Sequence, residues 1–162
     1  MKKPSTTPQR AYRSVGQILA AAPRAACWLG IEATVDDALR AMVERDLGCL
    51  VIVDGGAICG MFSERDFLRS RLDDARPIAA VPIAEAMNRR VVTVDAGRSV
   101  ADCLADIAGT PGRYLVVIED GAPAGIVAGD ELSRWVIHHH ETVINDMELE
   151  KLVLFARGTY SC

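Results

Sequence analysis

Gly60-Met61-Phe62-Ser63-Glu64-Arg65-Asp66 reads as an apolar strand that runs directly into a helix, whose first turn carries a hydroxyl, a cation and a carboxylate. A helix N-terminus offers unpaired backbone N–H groups and the positive end of the dipole, so a phosphate placed there would meet Ser63 and the amides behind it. Asp66 lies about one turn further on, where its two acceptor oxygens suit the vicinal hydroxyls of a ribose. The same letters have a plainer reading. Ser-x-x-Asp ahead of an apolar run is also a capping box, which only closes the start of a helix.

Outward from this stretch the chain repeats itself. Before it, Thr34-Val35-Asp36-Asp37 is a cap-plus-acid start, and Val35, Ala38, Leu39, Met42 and Val43 continue it at helical spacing toward Gly48. Cys49 to Val53 and Ile58 to Phe62 are short apolar runs around Asp54-Gly55-Gly56, a turn signal for an antiparallel hairpin. Asp73 to Pro82 reads as a connector. After it come a short helix (Ile83 to Met87), a strand (Val91 to Val94) and a second cap-plus-acid start at Ser99. At a constant spacing of 65 residues, Val35 meets Val100, Asp37 meets Asp102, Leu50 meets Leu115, and Gly60 meets Gly125. Two copies of one β-α-β-β-α unit account for most of the chain, and a unit this small needs its twin to bury a shared face.

The flanks are less patterned. Residues 1–13 contain Pro4 and Pro8 with no apolar periodicity, which predicts a loose tail. Val15, Ile18 and Leu19 mark a short helix stopped by Pro23, and residues 26–29 read as a strand. Past the second repeat, Val143, Ile144, Met147, Leu152, Val153 and Phe155 form an apolar stripe. It suits a C-terminal helix that docks across a subunit boundary or back on its own chain.

Bulk properties narrow the function. The 162 residues are half apolar, enough for a real core, and the net charge of −4 lacks the basic excess of a nucleic-acid binder. No apolar run reaches the roughly 18 residues of a membrane span, and no signal-type leader is evident, so a cytoplasmic protein is expected. The five cysteines are scattered without a Cys-x-x-Cys pair, which supports neither a disulfide framework nor a zinc site. His138-His139-His140 point about 100° apart on a helix and lack the i, i+4 spacing of metal ligands. Trp28 and Trp135 read as packing residues. There is neither a Walker loop nor a Gly-x-Gly-x-x-Gly turn, and no nucleophile–base–acid set, so an enzyme is not expected.

These features resemble the tandem cystathionine β-synthase (CBS) domain pair, or Bateman module. They are the Ser/Thr-Val helix starts, the Asp-Gly turn, and Gly-h-h-Ser-x-x-Asp (h, apolar) leading into the closing helix. The spelling of Gly60 to Asp66 and of Val15-Gly16-Gln17-Ile18-Leu19 is most similar to small stand-alone bacterial members. The resemblance implies an α/β (α+β) fold of two repeats, 14–75 and 76–138, packed by pseudo-twofold symmetry, with a C-terminal helical extension over 139–162.

It also implies an adenosine-containing ligand between the repeats, such as AMP, ATP, NAD(H) or S-adenosylmethionine. A homodimer and a still unknown downstream protein are implied as partners. Carried over by residue, Asp66 would hold the ribose and Ser63 the phosphate, with the adenine against Met87, Val91, Val92 and Thr93 and with Ile52 and Val53 behind it. Arg65 is a further candidate for the phosphate charge. In the second copy Ser63 becomes Ala128 and Asp66 becomes Glu131, so a twin site around Glu131, Arg113, Cys27 and Trp28 is expected to be weaker. Ala128 also implies that a full cap is not demanded by the fold. The alternative function is a ligand-free dimerisation or protein-interaction module.

Overall fold

The computed structural model describes residues 14–21, 27–109 and 113–138. The expected tail over 1–13, the extension over 139–162, and His139 and His140 lie outside the described residues. The elements run α1 (Val15–Ala21), β1 (Trp28–Gly30), α2 (Val35–Glu44), β2 (Cys49–Asp54), β3 (Ala57–Ser63) and α3 (Glu64–Asp73). A 3₁₀ turn (Ile78–Ala80) and α4 (Ile83–Ala86) follow, then β4 (Thr93–Asp95), α5 (Val100–Ala108), β5 (Tyr114–Glu119) and β6 (Ala122–Ala128). Residues 129–138 form α6.

Two three-stranded sheets result, ordered β1-β2-β3 and β4-β5-β6, each with one parallel and one antiparallel pairing. The 65-residue spacing survives in the pairing itself. Trp28 pairs with Val51 as Thr93 pairs with Val116, and both hairpins carry a register shift at the same place, between Ile52 and Val53 and between Val117 and Ile118. Each hairpin turns on two residues of positive φ, Gly55 and Gly56 in the first and Asp120 and Gly121 in the second, the geometry that matches strand twist.

Strand alternation sends side chains to two different cores. Leu50, Ile52 and Phe62 face a core with Val35, Ala38 and Met42 of α2, and Leu115, Val117 and Val127 face its counterpart with Val100 and Cys103 of α5. From the opposite faces, Cys49, Val51 and Met61 meet Val116 and Ile126 in a third cluster that joins the repeats. Buried on both faces, β2 and β5 are continuous apolar runs.

The structure adjusts the sequence reading in two places. Helix α2 ends at Glu44 and not at Gly48, because Asp46 takes a left-handed φ of 53°. Leu47 N–H then donates to Met42 O and Asp46 N–H to Val43 O, closing the helix as a Schellman motif. The short helices, moreover, pack on the repeat to which they are not adjacent. Val15 and Ile18 of α1 enter the second repeat's core, while Ile83 and Met87 at α4 enter the first. Val15 N–H donates to Arg98 O and Ile83 N–H to Ala33 O, both at 2.9 Å, so the two helices are equivalent at a spacing of 68 residues, three more than the strands.

Gly60 makes one of these contacts possible. A Cβ there would lie 2.5 Å from Met87 Sδ and 3.1 Å from Asn88 O. Gly60→Val should therefore destabilise the protein by about 1–3 kcal/mol through overpacking. Met87→Ala in the same chain should recover part of that loss, since the sulfur is movable and the carbonyl is not. Urea unfolding of the single and double variants measures the coupling.

Candidate functional site

Strand β3 ends in Phe62 and Ser63, both buried, and delivers the chain into α3 without a loop. Ser63 is the N-cap with extended backbone, and it forms a full capping box with Asp66. Asp66 Oδ2 accepts from Ser63 N–H at 2.9 Å and from Ser63 Oγ at 2.6 Å, while Asp66 N–H donates to Ser63 Oγ at 3.4 Å. These carboxylate bonds all fall on Oδ2.

The same device opens three other helices. Thr34 and Asp37 form a complete box, Ser99 accepts from Asp102 N–H at 3.2 Å, and Glu131 Oε2 accepts from Ala128 N–H at 3.5 Å. At α6 the box is only half present, in keeping with the reading that the fold does not demand a full cap. Glu131 keeps the half of the box that needs only a carboxylate, so this position caps its helix in both repeats.

Asp66 nevertheless borders a hollow of about 790 Å³. One wall is a single face of α3, Asp66, Arg69, Ser70 and Asp73, at i, i+3, i+4 and i+7. The opposite wall is Met87, Asn88, Arg89 and Arg90. This second wall is pinned to β3, because Met61 and Asn88 exchange backbone hydrogen bonds at 2.9 and 2.7 Å. Arg90 N–H also donates to Asn88 Oδ1 at 2.9 Å.

At the outer end, Arg76 Nη2 bonds Asp74 Oδ2 at 2.7 Å and Glu85 Oε2 at 2.5 Å, tying the connector to α4. Arg71 donates to the Asp74 carbonyl as well. The Arg76 guanidinium holds the Asp74 carboxyl down at about 2.

Asp66 and Met87 thus come together as anticipated, with Ser63 behind Asp66. Other anticipated residues lie elsewhere. Ile52 is fully enclosed in the first repeat's core, and Val53 and Val91 pack at the inter-repeat cluster. Val92 and Thr93 line a different hollow, of about 970 Å³, beside Ser99 and Asp102 at the start of α5. Arg65 is exposed and borders neither hollow.

For the second site, Cys27 and Trp28 pack in the inter-repeat cluster, and Arg113, at φ 58°, accepts Gly129 N–H on its carbonyl. None of Glu131, Arg113, Cys27 and Trp28 lines either hollow. The cationic residues on these walls that the sequence reading did not name include Arg69, Arg89 and Arg90. Arg69 was findable from helical spacing to Asp66, whereas nothing local marks the other two. Among the described residues no cluster of histidine, cysteine or carboxylate side chains suits a metal, and no helix is long and apolar enough to cross a membrane.

A duplicated α+β unit, joined through the sheet faces that its helices leave uncovered, with a polar hollow at a strand-to-helix junction, defines a paired-repeat fold. Residues 26–73 and 83–138 match the model of the CBS domain, and the chain belongs to that family. It is 28% identical over 138 residues to the CBS domain-containing protein CBSX3, mitochondrial, of Arabidopsis thaliana, covering 82% of this chain and 65% of that protein. The chain thus spans a little under two thirds of that curated relative.

Among solved structures it is similar to one described as a signal-transduction protein with CBS domains from Burkholderia ambifaria. The TM-score is 0.71 at 31% identity, over 77% of this chain and 94% of the other. The CBS-pair protein CBSX2 of Arabidopsis thaliana shares the fold at 19% identity, TM-score 0.61, over 80% and 97% of the two chains.

Two outcomes follow from the geometry. Asp66→Ala and Asp37→Ala, which remove equivalent boxes, should each cost about 1 kcal/mol in urea unfolding. The Asp74 carboxyl, lowered in the folded state, contributes stability above its ordinary value of 3.8 that is lost as pH falls through about 2. Its titration, followed by carboxyl NMR, should move back toward 3.8 in Arg76→Ala.

Proposed function

We propose that this chain is a regulatory CBS pair that binds an adenosine-containing nucleotide in the hollow beside Asp66. The observation that carries this reading is the placement of Asp66 and Met87 on opposite walls of one open space. Asp66 Oδ2 is spent on the cap, which leaves Oδ1 for a ribose hydroxyl, and the Met87 thioether is a soft surface for a purine. AMP, ATP and NAD(H) all carry the required sugar. The walls belong to α3 and to the connector after α4, so a ligand touching both would favour one arrangement of the connector. Such differential binding typically amounts to ~1–3 kcal/mol of coupling. The free thiols at Cys27, Cys49, Cys59 and Cys103 fit a reducing compartment such as the cytoplasm.

Asp37 supplies the control that separates ligand from cap. Titration calorimetry with ADP should show Asp66→Ala weakening binding by roughly 1.5–3 kcal/mol, the worth of a charge-assisted hydrogen bond. Asp37→Ala, with the same cap loss away from the hollow, should bind as wild type. Equal binding by all three proteins would leave Asp66 a cap alone.

A second reading, self-association, rests on its own observation. Leu72 and Ile137 occupy equivalent positions, 65 residues apart, and both are largely exposed, at 84% and 59%. Leu68, one turn before Leu72 on α3, extends the first patch at 66%. A duplicated apolar patch suits a second copy of the chain, which would cover both at once. Native mass spectrometry should show a dimer that Leu72→Glu with Ile137→Glu converts to monomer. A wild-type monomer at micromolar concentration would sink this reading.

A further inference from the structure

Four arginines and four carboxylates line the hollow beside Asp66, so counting charges alone predicts nothing. Partnering separates them. Asp74 and Glu85 are held by Arg76, with Arg71 adding to Asp74, so this outer group is satisfied within itself. Asp66 is engaged by its cap. No ion pair among the described residues involves Arg69, Arg89 or Arg90, and Arg89 has only a hydrogen bond to Ala84 O at 3.2 Å. Asp73 is the one wall carboxylate with no side-chain hydrogen bond or ion pair among the described residues, so outside the Arg76 group the walls carry three arginines against Asp66 and Asp73, an excess of one positive charge.

These arginines come from two walls. Arg69 stands one turn beyond Asp66, about 4.5 Å along the helix axis. Arg89 and Arg90 follow Asn88, whose backbone is bonded to Met61 and whose side chain fixes Arg90 N–H. The guanidinium groups therefore spring from backbone already fixed, which lowers the entropy lost on gripping an anion. Each can take two phosphate oxygens side by side. Together they offer more donors than the three terminal oxygens of one phosphate can use, and a second phosphate supplies the rest.

The geometry points to a diphosphate subsite at Arg69, Arg89 and Arg90, through which the hollow selects adenosines bearing two or more phosphates over S-adenosylmethionine. This rests on the nucleotide reading above. S-adenosylmethionine would bring a sulfonium and an ammonium into the same space, with no phosphate to offer.

The test is calorimetry on the full chain with adenosine, AMP, ADP, S-adenosylmethionine and inorganic pyrophosphate, repeated on R89A/R90A and R69A, with thermal melts confirming the fold. ADP should bind at least about tenfold tighter than AMP or S-adenosylmethionine, and R89A/R90A should shrink the ADP–AMP gap to within about threefold. R69A should narrow it by less. Pyrophosphate should compete with ADP in the wild type and not in R89A/R90A.

S-adenosylmethionine binding as tightly as ADP, or a gap that survives in R89A/R90A, overturns the subsite. Adenosine and AMP binding with no gain from the second phosphate overturns it while leaving the nucleotide reading intact. Pyrophosphate binding that depends on the arginines, with no adenosine compound bound, supports the subsite and removes the nucleotide reading. No binding by any probe removes both.

Discussion

A three-stranded sheet with two apolar faces cannot be stable in water alone, and everything else in this molecule answers that constraint. Cys49, Leu50, Val51 and Ile52 are all buried on β2, so helices can cover only half of what the strand presents. The other face, where Val51 is flanked by Met61 of β3, meets Val116 and Ile126 of the twin sheet. Burying one such side chain is worth about 1.5–3 kcal/mol, so these four together reach the order of 10 kcal/mol, comparable with the net stability of a whole domain. The repeats are therefore one folding unit despite their separate hydrogen-bonded sheets.

The crossed helices tighten the same bond. Had α1 and α4 covered their sequence-adjacent sheets, the seam alone would hold the halves together. As built, Val15 and Ile18 complete the second core, Ile83 and Met87 the first, and neither core closes without chain from across the repeat boundary. This crossing also positions the site. The segment after α4 is drawn onto β3 through Met61 and Asn88, and the absent side chain of Gly60 lets Met87 sit against that strand. The hollow exists because a piece of chain leading to one repeat is pinned against a helix of the other.

What the sequence showed depended on how local the cause was. The strand and hairpin repeat was legible because register is set by alternation and by turns such as Asp54-Gly55-Gly56, which lie in neighbouring residues. Helices α2, α3 and α5 were legible for the same reason, each opening on a Ser or Thr and an Asp three residues on. The exchange of α1 and α4 was not, because the sheet that a short apolar helix covers is decided by connector reach, and the equivalence at 68 residues is blurred by few identities. At the site, Asp66 and Met87 were placed together by resemblance. Arg65 was chosen for its nearness in sequence, although a helix turns about 100° per residue and Arg69 shares the face of Asp66. Val92 and Thr93 border the other hollow, because β4 is short and its start lies beside α5.

The copies diverge at the seam as well as at the site. Cys49 and Tyr114 hold the same register position, yet one is a small buried thiol and the other a half-buried phenol whose hydroxyl lies against Gly48. Burial raises the pKa of both, reinforced at Cys49 by the charges of Asp66 and Cys27 and at Tyr114 by those of Cys49, Glu64, Asp130 and Asp66. A phenol in one copy and a thiol in the other fill equivalent register positions unequally, so the halves are not exact twins at this point. A hollow of the second repeat lies beside β4 and α5 and is not lined by Glu131, where a twin of the Asp66 site would fall. One chain with two related sequences thus presents two dissimilar surfaces, a carboxylate at a strand-to-helix junction bordering the first hollow and the start of α5 bordering the second.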